Sequence, residues 1–268
     1  MSRIQNILEK AERDGGVLRM RSLTDSALAF ETPTPAPPEV FDEPVIVEPS
    51  VAPARVVRDT QLDPHLIAAL EPGATAAEQY RALRTRLTHD HQGSVGVVLV
   101  TSPGRREGKT LTAANLALTM AQDFQRRICI VDADLRHSRL QTLFGLTDGP
   151  GLADVLTGGA SLSDALIQLE DLQITMLPAG RASAHPAELL GSTAMRQTIE
   201  TLRSQFDRVI IDAPPTGPLA DIGILAPLVD RVVLVVRAGV TTKPAIHDAV
   251  SAIDAKQLLG IVLNDATG

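Results

Sequence analysis

The chain has 268 residues and a net charge of −7; hydrophobic residues make up 44%, aromatics only 2%, and tryptophan is absent. The acidic balance argues against wholesale nucleic-acid binding, which needs a basic face to displace counterions. One cysteine, Cys129, cannot close an internal disulfide, and no apolar run approaches the ~20 residues of a spanning helix, so a soluble chain in a reducing cytoplasm is expected.

Residues 2–14, SRIQNILEKAERD, place Ile4, Ile7, Leu8 and Ala11 on one helical face, with Ser2 and Gln5 spaced as a capping box. So short a helix is marginal in water and calls for a partner surface. No signal peptide is visible ahead of it. From 31 to 58 the chain reads ETPTPAPPEVFDEPVIVEPSVAPARVVR, and seven of its eighteen prolines lie between Pro33 and Pro53. That composition predicts an extended linker. The division expected is an N-terminal helical region at 1–30, a disordered linker at 31–60 and a folded domain at 61–268.

Within that domain, Val/Ile/Leu runs recur at 95–101, 128–132, 173–177, 208–212, 231–236 and 258–263, with helix-patterned segments between them. Runs apolar on both faces, alternating with helices, predict a doubly wound α/β domain with a mostly parallel sheet. A core poor in rings and rich in Val, Ile, Leu and Ala suits such a sheet.

The first run leads into TSPGRREGKTLTAANLA, 101–117. Gly108, Lys109 and Thr110 open a helix, whose free N–H groups and partial positive charge suit a β-phosphate. Lys109 would reach the β- and γ-phosphates, and Thr110 would help hold magnesium. The pattern is a deviant P-loop: where G-x-x-x-x-G-K-[ST] has its first glycine, this chain has Pro103. Two further strands end in acids. ICIVDADLR, 128–136, closes on Asp132 and Asp134, then Arg136; RVIIDAPP, 208–215, closes on Asp212. Ligands of open α/β sheets lie beyond the carboxyl ends of the strands, so the loop and both acidic ends aim at one crevice. Magnesium needs only one or two carboxylates beside phosphates.

These segments carry a resemblance. ICIVDADLRHSRLQTLFGL resembles the second acidic motif of the bacterial tyrosine kinases, the BY-kinases of the CpsD/CapB family of capsule and exopolysaccharide biosynthesis. RVIIDAPP is similar to their Walker B strand. GLADVLTGGASLSDAL, LPAGRASAHPAELLGS and DRVVLVVRAGVTTKPA are similar to the connecting segments, so the likeness runs over about 62–264. SRIQNILEKAERD with its proline-rich tether resembles the exopolysaccharide-locus branch. The resemblance implies a P-loop fold related to ParA and MinD, with ATP and Mg2+ as cofactors, and phosphoryl transfer to tyrosine. It gives Lys109, Asp132, Asp134 and Asp212 catalytic places, and Thr110 with the same three acids the magnesium. Gly104, Arg105, Arg106, Glu107, Gly108, Thr110, Leu111, Arg136 and Asn264 would join Lys109 around the nucleotide, Asn264 at the adenine. AAEQYRALRTRL resembles the family's Glu-x-x-Arg-x-x-Arg motif, which assigns Glu78, Arg81 and Arg84 to a ring-shaped homo-oligomer. Without the family, a stripe of this kind reads as a solvated helix face. A separate membrane-bound chain-length or co-polymerase protein is the implied partner, and it would recruit a cytoplasmic enzyme to the inner face of the plasma membrane.

Two departures from the family pattern stand out. The usual loop has Pro-Gly-Glu-Gly-Lys, and this chain has Arg105-Arg106-Glu107-Gly108-Lys109. Glycine tolerates the positive φ that a converging nest needs, so Arg106 is expected to strain the loop, while the added cations attract phosphate. The family's C-terminal tyrosine cluster is also missing: the only tyrosine is Tyr80, expected to pack inside its helix. Acceptors would therefore lie on other proteins. A catalytically reduced ATPase switch or scaffold is the competing reading. A ParA/MinD-type positioning ATPase is disfavoured because its signature lysine position is occupied by Gly104. The six histidines show no ligand spacing, and Ser102 lacks a nucleophile elbow.

Overall fold

The computed structural model describes residues 52–88, 96–123, 126–217 and 221–265. The expected helix at 2–14 and most of the proline-rich stretch lie outside the described residues. Eight strands form one sheet, in the order β1-β4-β5-β3-β6-β2-β7-β8. They are β1 (Arg55–Val57), β2 (Val97–Thr101), β3 (Ile128–Asp132), β4 (Ile167–Leu169), β5 (Ile174–Leu177), β6 (Arg208–Asp212), β7 (Arg231–Arg237) and β8 (Leu258–Asn264). Six match the predicted runs. The linker boundary at 60 needs correction, because Arg55–Val57 pair in parallel with Ile167–Leu169. Strands β1 and β4 escape sequence reading because three residues, RVV or IQL, carry too little pattern. The β4–β5 pair is antiparallel, closed by a tight turn in which Gln173 takes φ 55.

The continuous apolar runs have a simple cause. Along β2, Val97 and Leu99 join one core layer while Val98 and Val100 join the other; Cys129 and Val131 oppose Ile128 and Ile130 in β3. Both faces of the central strands are covered, so no position alternates to polar. One layer is built with α1 (Ile67–Leu70), α2 (Thr75–Thr88), α3 (Lys109–Ala121) and α4 (Leu140–Leu143). The opposite layer uses α5 (Leu152–Leu156), α6 (Leu162–Ala165), α7 (Pro186–Leu190), α8 (Thr193–Gln205), α9 (Asp221–Leu225) and α10 (Lys243–Ser251).

α3 is the central helix of its layer: eleven of its thirteen residues are buried. Small residues at Ala113, Ala114 and Ala117 let it lie close on the sheet. Buried Asn115 then ties neighbouring chain to it, accepting from Ala68 N at 2.9 Å and donating to His65 O at 3.0 Å. Tyr80 packs toward the same helix. Burial raises its hydroxyl pKa, partly offset by hydrogen bonds to Thr112 and Asn115, which fits the packing role expected of it.

Candidate functional site

The loop between β2 and α3 lies where β2, β3 and β6 end together. The strands are knitted beyond their last pairs: Ala133 N donates to Asp212 O at 2.8 Å, Ala213 N to Val100 O at 3.0 Å, and Thr216 N to Ser102 O at 2.8 Å. Inside the loop, Ser102 Oγ donates to Gly104 O at 2.6 Å. The buried Glu107 carboxylate accepts from Gly104 N at 2.9 Å and from Thr241 Oγ1 at 2.6 Å. Asn264, the last residue of β8, donates from Nδ2 to Glu107 O at 3.1 Å. The loop is thus fastened to the β7–β8 edge of the sheet.

Two backbone positions define the nest. Gly108 has φ 97, and a Cβ there would collide with Asn264 Nδ2, so only glycine fits. Arg106 has φ 62, the left-handed region, as expected for an arginine standing in the place of the family's glycine. Replacing it should relieve strain: Arg106→Gly is expected to stabilise the domain by about 1 kcal/mol in chemical unfolding. The Asn264 tether has its own consequence. Asn264→Ala removes one hydrogen bond on the loop, worth about 1 kcal/mol, so calorimetric titration should show ADP binding weakened about fivefold.

The acids converge on Lys109. Asp132 and Asp212 stand opposite each other in register on β3 and β6. Lys109 Nζ lies 2.8 Å from Asp134 Oδ2 and 3.5 Å from Asp212 Oδ1, with all three side chains nearly buried. Burial opposes the charge on Lys109, but Asp212 and Asp134 outweigh it and raise its pKa. Asp132 is spent differently. It accepts from Ser138 Oγ at 2.7 Å, Asp134 N at 3.0 Å and Leu140 N at 3.3 Å, holding the turn after β3. Desolvation, then the Asp212 charge, push its pKa to about 7. Burial also raises that of Asp212, against the pull of Lys109. Asp212 Oδ2 is buried without a hydrogen-bond partner among the described residues. An orphaned acceptor beside a phosphate loop fits a donor such as metal-bound water.

A cleft of about 650 Å³ opens above this triad, and Arg105, Arg106, Gly108, Lys109, Thr110, Leu111 and Asp134 line it. Asp132 and Asp212 are buried and do not line it. Gly104, Glu107 and Asn264 do not line it; they hold the loop from outside. Arg136, expected at phosphate or at these acids, is turned elsewhere. Its guanidinium forks onto the buried Asp221, with both contacts at 3.3 Å. His137, Ser138 and Arg139, from the turn after β3, also line the cleft, as do Asp63 and His65. The sequence reading missed these five and Asp221. His137, Ser138 and Arg139 stood within the quoted acidic motif, directly after Arg136, whereas nothing local marks Asp63, His65 or Asp221. Among the described residues no three His, Cys, Asp or Glu side chains form a metal-binding group.

The charged stripe of α2 makes contacts within the chain. Arg81 pairs with Glu78 and donates to Pro72 O, and Arg84 Nη1 donates to Thr119 O at 3.0 Å, fastening α2 to the end of α3.

Comparison with known proteins identifies the family. Residues 106–257 match the family model described as an AAA domain. The chain is 34% identical over 212 residues to the tyrosine-protein kinase YwqD of Bacillus subtilis, covering 77% of this chain and 88% of the relative. It is 31% identical over 190 residues to the tyrosine-protein kinase CpsD of Streptococcus agalactiae, covering 70% and 82%. Among solved structures, the chimerical protein CapA2B2 superposes with a TM-score of 0.73 at 28% identity, covering 81% of this chain and 95% of that one. The kinase domain of the Escherichia coli tyrosine kinase ETK superposes at 0.72 with 27% identity, covering 77% and 81%. A P-loop fastened at β2, two acidic strand ends closing on its lysine, and this degree of likeness lead to one assignment: the chain belongs to the bacterial tyrosine-protein kinase family.

Proposed function

We propose that the chain transfers the γ-phosphate of ATP, with Mg2+, to tyrosines of partner proteins in capsule or exopolysaccharide polymerisation and export. The observation that carries this reading is Lys109, held between Asp134 and Asp212 at the mouth of a phosphate loop. A phosphate at the loop competes for the Lys109 ammonium and releases Asp134, the one carboxylate of the three that faces the cleft. Asp134 then takes the tyrosine proton as the phenolic oxygen bonds to the γ-phosphorus and the bond to the bridging oxygen of ADP breaks. Lys109 and the N–H groups at the start of α3 stabilise the charge on the phosphoryl oxygens. Asp132 keeps Asp134 placed by accepting its backbone N–H. Thr110, Asp212 and the neighbouring acids are the residues that would hold Mg2+, which neutralises phosphate charge when bound.

The acceptors are proposed on other proteins, because Tyr80, the single tyrosine of the 268 residues, is packed against α3. Among the described residues no helix is long and apolar enough to cross a membrane. A separate membrane-bound partner would bring the kinase to the inner face of the plasma membrane. Glu78, Arg81 and Arg84 are candidates for contacts in a ring of copies, and the exposed Glu78 carboxylate is the group with most freedom to reach one.

The test is phosphotyrosine formation with Mg-ATP and the cytosolic segment of a co-encoded membrane partner, with Asp134→Asn as control. Phosphotyrosine that falls sharply in the control supports the kinase reading. Nucleotide binding without phosphotyrosine would leave an ATPase switch, the reading favoured by the strained arginine at 106.

A further inference from the structure

The cleft mouth is cationic. Arg105 and Arg106 of the loop are exposed, and so is Arg139 at the start of α4; all three line the cleft. Among the described residues none of the three guanidiniums makes an ion pair. Lys109, by contrast, is already neutralised by Asp134 and Asp212. Among the described residues the only other carboxylate lining the cleft is Asp63; it accepts from the His65 ring at 2.7 Å and from its N–H at 2.9 Å, and the Arg139 charge adds only the last of the effects that lower its pKa. A chain of net charge −7 therefore gathers unpaired positive charge at this mouth. Such a mouth draws in anionic partners and repels cationic ones.

Arg139 belongs to the turn after β3, a different segment from the loop, and its backbone is held in fixed relation to the acids. Its neighbours on both sides bind Asp132: Ser138 through Oγ at 2.7 Å and Leu140 through N–H at 3.3 Å. His137 N donates to Asp134 Oδ1 at 3.1 Å. The backbone at Arg139 is held this way, so its exposed side chain extends into the cleft mouth from a fixed point. It stems from the same turn as Asp134, the proposed base, and from a different segment than the phosphate loop.

We propose that this cleft selects tyrosines flanked by acidic residues, with Arg139 as the discriminating side chain and Arg105 and Arg106 supporting it from the loop. The proposal rests on the kinase reading above and names its substrate class. A planar guanidinium suits a carboxylate through paired hydrogen bonds, which a lysine cannot reproduce.

The experiment uses the full chain and fluorescent peptides carrying one tyrosine flanked by Glu, Gln or Lys, with Mg2+ and a non-hydrolysable ATP analogue. Binding is read by anisotropy, and initial rates are then read with ATP. Glu-flanked peptide should bind about tenfold tighter than the Gln form and the Lys form should bind weakest. Arg139→Glu should reverse that order, and Arg139→Lys should keep part of it. Equal binding of the three peptides, or a preference that survives in Arg139→Glu, overturns the proposal. So does an Arg139→Glu variant whose only defect is nucleotide affinity, since Arg139 would then be a phosphate ligand. Transfer without charge preference overturns this inference while leaving a kinase. Binding preference that depends on Arg139, with no transfer to any peptide, supports acidic recognition and sinks the kinase reading instead.

Discussion

Lys109→Met is expected to lower phosphoryl transfer by about 10²–10³, the usual loss when one preorganised donor to developing charge is removed. The same change should alter how stability depends on pH. Lys109 is the cation closest to Asp134 and Asp212, at 2.8 and 3.5 Å, and it also lowers the pKa of Asp132. In the native protein burial and the neighbouring acid push the Asp132 pKa up to about 7, and burial raises that of Asp212, both above the ordinary carboxylate value of 3.8. A carboxyl with a raised folded pKa keeps a proton that the unfolded chain has lost. Its contribution to stability is fully present below 3.8 and is lost as pH rises through the folded value. Without the ammonium, Asp132 and Asp212 face each other across adjacent strands with less compensation, and their folded pKa values rise further. Melting temperatures followed from pH 5 to pH 8 should therefore fall more steeply in Lys109→Met than in the native protein. Parallel slopes would mean that Lys109 serves the nucleotide alone and that the acids are neutralised by other groups.

How far the site could be read from sequence depends on whether its contacts are local. The loop and the acids of β3 and β6 are legible because the chemistry sits at the ends of continuous apolar runs. Those runs are continuous because both faces of β2, β3 and β6 are buried. The contacts that hold the site in shape are not legible, even where, as at Glu107 and Asn264, the family resemblance names the residue for the nucleotide. Thr241 meets Glu107 across 134 residues of sequence, Asn264 meets it across 157, and Asp221 meets Arg136 across 85. No periodicity marks such partners; only the folded sheet brings them together. Arg136 shows the consequence. Its place after Asp134 suggests phosphate or the acids, yet a fully buried carboxylate needs a cation, and Asp221 takes it. At Arg106 sequence reasoning worked, because the steric demand of a left-handed position is local.

Asp230→Ala is expected to destabilise the domain by about 3 kcal/mol, taking roughly 1.5 kcal/mol for each of two charge-assisted bonds to backbone. For a domain of this size that is roughly 6–12 °C in Tm. Asp230 precedes β7 and accepts from Gly96 N and Val97 N, each at 2.7 Å, and from Arg203 Nη1 at 2.8 Å. Val97 is fully buried, so its N–H has no ready access to water once the carboxylate is gone. Arg203 would also lose its anion while still donating to Leu228 O at 3.3 Å. Burial works against the charge on Asp230, but the Val97 N–H and Arg203 prevail and lower its pKa from 3.8. A carboxyl with a depressed folded pKa contributes stability that is present above the unfolded value and lost as pH falls through the folded one. The gap in unfolding free energy between native and variant proteins should therefore be wide at pH 7 and should close below pH 3.8. A gap independent of pH would mean that packing, and not the carboxylate charge, fixes the start of β2. The position matters for function because β2 runs from this anchor to the phosphate loop. A partly frayed β2 should weaken nucleotide binding in Asp230→Ala even though the residue lies at the opposite end of the strand from the cleft.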